Sequence, residues 1–190
     1  MHEKEEILLK KHLESEKKDK NIFDIVIYGS SVKGKETAHD IDILVIFLQG
    51  SLRERLDKVQ EIKNKLKKIN MNIDLKQILL QELFSPEFFA KTGIFIEGIS
   101  IFKNKLFSET IGFKAFSLFW YSLTNMTHTQ KVKFNYILAG RNSKGIITDV
   151  HGERLTNGAI KIPIQYSLEF EEVLKANNIL YKKKDILEAQ

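Results

Sequence analysis

The hydrophobic positions change period along the chain, and each change marks an element. Within residues 5–19, Ile7, Leu8, Leu9 and Leu13 lie near one side of a Lys/Glu-rich segment, which predicts an amphipathic opening helix ended by Asp19 to Asn21. Ile22–Tyr28 is a β-branched and aromatic run stopped by Gly29, and Ile41–Phe47 is a second such run; both predict buried strands. After the turn Gln49-Gly50-Ser51, the residues Leu52, Leu56, Val59, Ile62, Leu66 and Ile69 recur at helical spacing. This is the clearest helix in the chain, with Ser51 as its N-cap and its end at Asn70. Residues 72–79 read as a third strand. Ser85-Pro86-Glu87 predicts a short helix with Ser at the cap and Pro at the first position, and residues 99–102 read as a closing strand. This order indicates an α/β or α+β sheet domain with helices packed against it.

We place the end of that domain at Leu106, which divides the chain into 1–106 and 107–190. In the second part a helix is predicted over 129–138, ended by Gly140. Residues 145–150 and 159–164 read as strands, broken by His151-Gly152 and by Asn157-Gly158, a favourable hairpin turn pair. Residues 168–176 follow as a helix and 179–186 as a final polar strand. The Phe113, Phe116, Phe119 and Trp120 stripe reads as core. The second part is thus expected to be a smaller α+β module.

Composition narrows the class. A hydrophobic fraction of 43% with 13 Phe is too apolar for a disordered chain, and no stretch approaches the roughly 20 uncharged apolar residues of a membrane span. The absence of Cys excludes disulfides, thiolate zinc sites and a cysteine nucleophile, and makes a reducing, cytoplasmic setting the expectation. The acidic start Met1-His2-Glu3-Lys4-Glu5-Glu6 resembles neither a signal nor a transit peptide. The net charge of +5 permits a phosphate-bearing partner, and its placement is informative. Residues 107–166 hold seven basic and three acidic residues, a surplus of four.

The chemistry concentrates between residues 25 and 45. Gly29 to Lys35 fits the G-x-x-x-x-G-K pattern of a phosphate-binding loop after a strand, but Glu36 stands where a metal-binding Ser or Thr is needed. A strand beginning by Asp40 also leaves no room for the helix that should follow. A second reading takes Gly29-Ser30 and Asp40-Ile41-Asp42 together. Side chains alternate along a strand, so Asp40 and Asp42 share one face while Ile41 and Ile43 enter the core on the other. Paired carboxylates repel unless a cation intervenes, and an all-oxygen set favours Mg²⁺ or Mn²⁺ bridging to substrate phosphates. Gly29 permits a sharp turn after the strand, and Ser30 offers an N–H and a hydroxyl to an anion. Asn72-Ile73-Asp74-Leu75-Lys76 adds a third acid on a strand.

In these residues the chain resembles the nucleotidyltransferase superfamily that includes DNA polymerase beta, and more narrowly its minimal members. The signature here is Tyr28-Gly29-Ser30, nine intervening residues, Asp40-Ile41-Asp42, and Asp74 on a later strand. It extends over about residues 22–102, with 95–102 resembling the family's closing helix and strand. The resemblance implies a polymerase-beta-like α+β fold, a mixed sheet with flanking helices. It also implies catalytic, metal-holding roles for Asp40, Asp42 and Asp74, and nucleotide contacts from Gly29, Ser30 and Ser31. Lys33 and Lys35 are candidates for the β- and γ-phosphates. The implied reaction is in-line attack of an acceptor hydroxyl on the α-phosphorus of a nucleoside triphosphate, AMP from ATP being the expected transfer, with pyrophosphate leaving. His39 departs from the family, which more often has a small polar residue before the first Asp.

Lys131, Lys133, Arg141 and Arg154 are candidate acceptor-binding residues, since the cations of 131–141 are interleaved with aromatics as on a nucleic-acid surface; an amphipathic helix has the same pattern. The expected acceptor is nucleic acid (tRNA, other RNA or DNA) or a protein hydroxyl, with no membrane partner. His2, His12, His128 and His151 show no metal-ligand spacing. The alternative function is a non-catalytic, antitoxin-like protein that binds nucleotide or nucleic acid and retains the fold.

Overall fold

The computed structural model describes residues 3–32, 40–69, 71–141 and 143–190. The chain divides into two compact units, residues 1–111 and 112–190. In the first, helix α1 (Glu3–Leu13) and a 3₁₀ turn (Glu14–Lys18) lead into strand β1 (Ile22–Tyr28). There follow β2 (Ile41–Phe47), α2 (Leu52–Leu66), β3 (Ile73–Leu79), α3 (Lys91–Glu97), β4 (Ile99–Ser100), β5 (Lys105–Leu106) and α4 (Phe107–Thr110). The strands form one mixed sheet in the order β3-β2-β1-β4-β5, with β2 and β3 parallel and the remaining pairs antiparallel.

Both faces of this sheet are covered, which is why β1 and β2 are apolar at every position but Asp24 and Asp42. On one face Ile25, Ile27, Ile43 and Val45 pack with Leu9 and Leu13 of α1 and Ile62 and Leu66 of α2. On the other Val26, Tyr28, Leu44, Ile46 and Ile78 pack with Leu83, Ile94 and Phe107. Helix α2 starts where its sequence predicts: Ser51 accepts from the Glu54 N–H, and the Glu54 carboxylate accepts from the Ser51 N–H at 2.7 Å, a reciprocal capping box. The expected helix at Ser85-Pro86-Glu87 is not formed. A 3₁₀ turn (Leu80–Phe84) precedes those residues, Ser85 is extended, and the helix begins at Lys91. The closing strand is shorter than expected, because the chain turns after Ser100 and returns as β5.

The second unit is a four-stranded antiparallel sheet in the order β7-β8-β6-β9, built from β6 (Phe113–Ser122), β7 (Glu153–Thr156), β8 (Ala159–Pro163) and β9 (Leu180–Ala189). Helices α5 (His128–Ala139), α6 (Ile146–Asp149) and α7 (Ser167–Ala176) complete it. Its core joins Phe119, Tyr121, Ile160 and Ile162 of the sheet to Phe134, Leu138, Phe170 and Leu174 of the helices. Residues 145–150, expected as a strand, instead form α6. A Cβ on Gly145 would collide with the Leu138 carbonyl and the Gly140 nitrogen, so the chain folds back tightly there and enters a helical turn that buries Val150. The aromatic stripe is only partly core. Alternation buries Phe119 fully and leaves Trp120 43% exposed, while Phe113, on the same face as Phe119 but at the first position of β6, is 37% exposed.

Candidate functional site

Strand register assembles the site. Tyr28 stands opposite Asp42 in the antiparallel β1–β2 pair, and Asp42 stands beside Asp74 in the parallel β2–β3 pair, so the three form one row across the sheet. Asp40 lies just before β2, and the ladder reaches it through the Ile41 N–H bond to the Asn72 carbonyl at 2.9 Å. Tyr28 is buried, Asp42 half-buried, and Asp40 and Asp74 exposed. This row is the polar end of the face that holds Val26, Leu44 and Ile46.

Immediately after Tyr28 the chain makes a 3₁₀ turn, Gly29–Ser31, with Gly29 at φ +82°. That conformation favours glycine, and a Cβ at this position would run into the Asp42 carboxylate. Backbone and acid are therefore packed directly against each other. Ser30 is exposed; Ser31 is buried and donates its hydroxyl to the Tyr28 carbonyl at 3.3 Å. Lys33, Lys35 and His39 lie outside the described residues.

Each acid has a defined neighbour. Asp40 accepts from the Asn72 side-chain amide. Asp74 is paired with Lys76 at 2.9 Å, and the Lys76 charge also acts on Tyr28. Burial raises the Asp42 carboxyl above the usual range. Lys76 pulls it down, and the charges of Asp74 and Asp40 push it up again. Burial likewise raises the Tyr28 phenol, against the attraction of Lys76. The site is a row of mutually repelling carboxylates with, among the described residues, the Lys76 cation beside it.

Tyr28 enters the sequence signature only as the residue before Gly29-Ser30, and Lys76 has no role in it. The signal for Lys76 was available: it follows Asp74 by two residues on a strand and so shares its face.

The donors are oxygen-only and their mutual repulsion is incompletely relieved, which suits a hard divalent cation. Among the described residues no three His, Asp or Glu side chains converge as a ready-made ligand set. Asp74 is turned to Lys76 and Asp40 to Asn72.

The candidate acceptor residues all belong to the second unit. Lys131 and Lys133 leave α5 about 200° apart, Lys133 exposed and Lys131 half-buried. The Arg141 guanidinium sits 5.1 Å from the Tyr136 ring centre, and Arg154 donates to Asn135 Oδ1 at 3.2 Å and to the Tyr121 hydroxyl at 3.4 Å. The two lysines are not brought together on one surface.

The first unit is a mixed five-stranded sheet flanked by helices, the architecture of a nucleotidyltransferase domain. Residues 9–105, more than half of the chain, match the family described as Polymerase beta, Nucleotidyltransferase, and the chain belongs to that family. Comparison with curated proteins gives no match. No helix among the described residues is long and apolar enough to cross a membrane.

Proposed function

We propose that the protein is an Mg²⁺-dependent nucleotidyltransferase that moves a nucleoside monophosphate, AMP from ATP, onto a hydroxyl of a nucleic-acid or protein acceptor and releases pyrophosphate. The observation that carries this reading is the register of Asp42 with Asp74 beside the Gly29 turn. Asp40, Asp42 and Asp74 would hold the divalent cations, Asp74 exchanging its pairing with Lys76 for the ion. Bound there, the metal would neutralise charge on the attacking and leaving oxygens. The Gly29 turn brings the main chain close to the carboxylates with no side chain in the way, and exposed Ser30 offers its hydroxyl to the phosphates. Lys76 holds Asp74 in place and balances charge next to Asp42. The protein's contribution is positioning and electrostatics, as phosphoryl-group transfer requires. The second unit would present the acceptor.

The test is pyrophosphate release from ATP with Mg²⁺ and a pool of RNA, DNA and lysate protein as acceptors. Release that is lost in Asp42→Ala, with the variant still folded, supports the reading. No release from the wild type, or release unchanged in the variant, contradicts it.

A further inference from the structure

We propose that the open face of the second unit's sheet binds single-stranded nucleic acid, with Trp120 as the stacking surface and Lys182 and Lys184 as the phosphate contacts. Strand alternation sends Ala115, Ser117, Phe119 and Tyr121 of β6 inward, where all four are buried. Phe116, Leu118 and Trp120 are left on the opposite face. Register sets Lys182 of β9 directly opposite Trp120, and Lys184 opposite Leu118. Leu180, 66% exposed, continues the same face opposite Ser122.

The charges on this face are not evenly distributed. Lys161 of β8 lies 4.8 Å from the centre of the Phe116 ring and is paired with Glu153 and Glu188, both at 2.9 Å. That end is neutralised and its ring is covered. At the Trp120 end Lys182 and Lys184 are exposed, and among the described residues neither has an acidic partner. Lys183, between them, turns to the other face and pairs with Glu171 at 3.3 Å.

Lysines on an edge strand guard against strand addition, which accounts for a Lys run on β9. It does not account for a tryptophan left 43% exposed beside them, with Leu118 and Leu180 around it. An aromatic ring open to solvent in a sheet, flanked by unpaired cations, is the chemistry that stacks a base and holds its phosphates. A duplex hides its base faces, so the partner is single-stranded. The charge complementarity selects a polyanion over a protein surface. The inference concerns binding alone and does not need the transferase reading, since it is tested with no nucleotide present.

Trp120 is the sole tryptophan, so its emission reports this face directly. The full chain is titrated with oligo(U) and oligo(dT) of about 12 nucleotides and with a duplex of equal length, at several salt concentrations. The expected result is saturable quenching by the single strands, with the tighter of the two identifying RNA or DNA as the ligand. With a labelled oligonucleotide followed by anisotropy, Trp120→Ala weakens binding about tenfold or more. The Lys182→Ala, Lys184→Ala double variant weakens it as well and makes the salt slope shallower by about one to one and a half. Circular dichroism checks that each variant is folded. The proposal is overturned by absence of saturable quenching at low salt, by preference for the duplex, or by a salt slope unchanged in the lysine variant. Burial of Trp120 through self-association, seen as a doubled mass with a blue-shifted emission and no response to oligonucleotide, also overturns it.

Discussion

The Asp42 carboxylate occupies the space that a side chain on Gly29 would fill. The turn at φ +82° and the acid on the neighbouring strand are thereby one structural unit. A methyl group at residue 29 strains the turn and displaces the carboxylate together. Gly29→Ala is expected to cost about 1–3 kcal/mol of stability. It should also lower transferase activity at least about tenfold, through the misplaced Asp42. Denaturant unfolding and turnover on the same preparation check both. Unchanged activity would show that Asp42 need not lie where it does.

Removing the cation beside the row should expose its repulsion. Lys76 pulls the Asp42 carboxyl down, so in Lys76→Met that carboxyl rises further above its ordinary value. A carboxyl raised by folding opposes folding once it is ionised, so the variant is less stable than wild type at neutral pH and regains the difference as pH falls. A divalent cation replaces the missing charge, and Mg²⁺ should therefore raise the melting temperature of Lys76→Met more than that of the wild type. Equal Mg²⁺ responses in thermal unfolding would contradict this.

Asp24 tests the fold apart from the chemistry. It is fully buried in β1, accepts from the Ser100 hydroxyl at 2.7 Å and from the Ile25 N–H at 2.8 Å, and ties β1 to the last residue of β4. Asp24→Ala leaves these donors unsatisfied and should destabilise the first unit by about 2–3 kcal/mol. Denaturant midpoints measure the loss, and a change within error would contradict it.

Glu171 of α7 gives the second unit an acid-sensitive tie. Burial would raise its carboxyl, but hydrogen bonds from Lys175 and Tyr181 and the charge of Lys183 outweigh it and hold the group at about 2, below its ordinary 4.5. A carboxyl lowered by folding stabilises the native state above its unfolded value, and that stability is lost as pH falls from 4.5 towards about 2. Glu171→Gln should flatten this acid limb of the melting curve and lower the melting temperature at neutral pH. A limb as steep as that of the wild type would contradict the assignment.

The elements that place the site were legible because their local signals agreed with their tertiary roles. The apolar runs Ile22–Tyr28 and Ile41–Phe47 form strands buried on both faces, and the Ser51 cap and helical spacing give α2 its start and length. Asp74 was legible as a strand acid, but its place beside Asp42 depends on the parallel register, which no local pattern specifies. Where context overrode propensity, the reading failed. Ile146 and Ile147 favour a strand, yet the tight approach of Gly145 to Leu138 and Gly140 forces a helical turn. The aromatic stripe of β6 looked like core because hydrophobicity carries no information about which sheet face is covered. Trp120 and Phe119 are adjacent in sequence and differ completely in burial.

If the aspartate row transfers a nucleotidyl group, the position of the transferred label reveals it. The protein is incubated with Mg²⁺, acceptor and ATP labelled either at the α- or at the γ-phosphate, alongside Asp42→Ala and Asp74→Ala variants shown to be folded. The acceptor should gain α-label and no γ-label, and both variants should abolish the gain. Transfer of γ-label, or α-label transfer that survives in the variants, would contradict it.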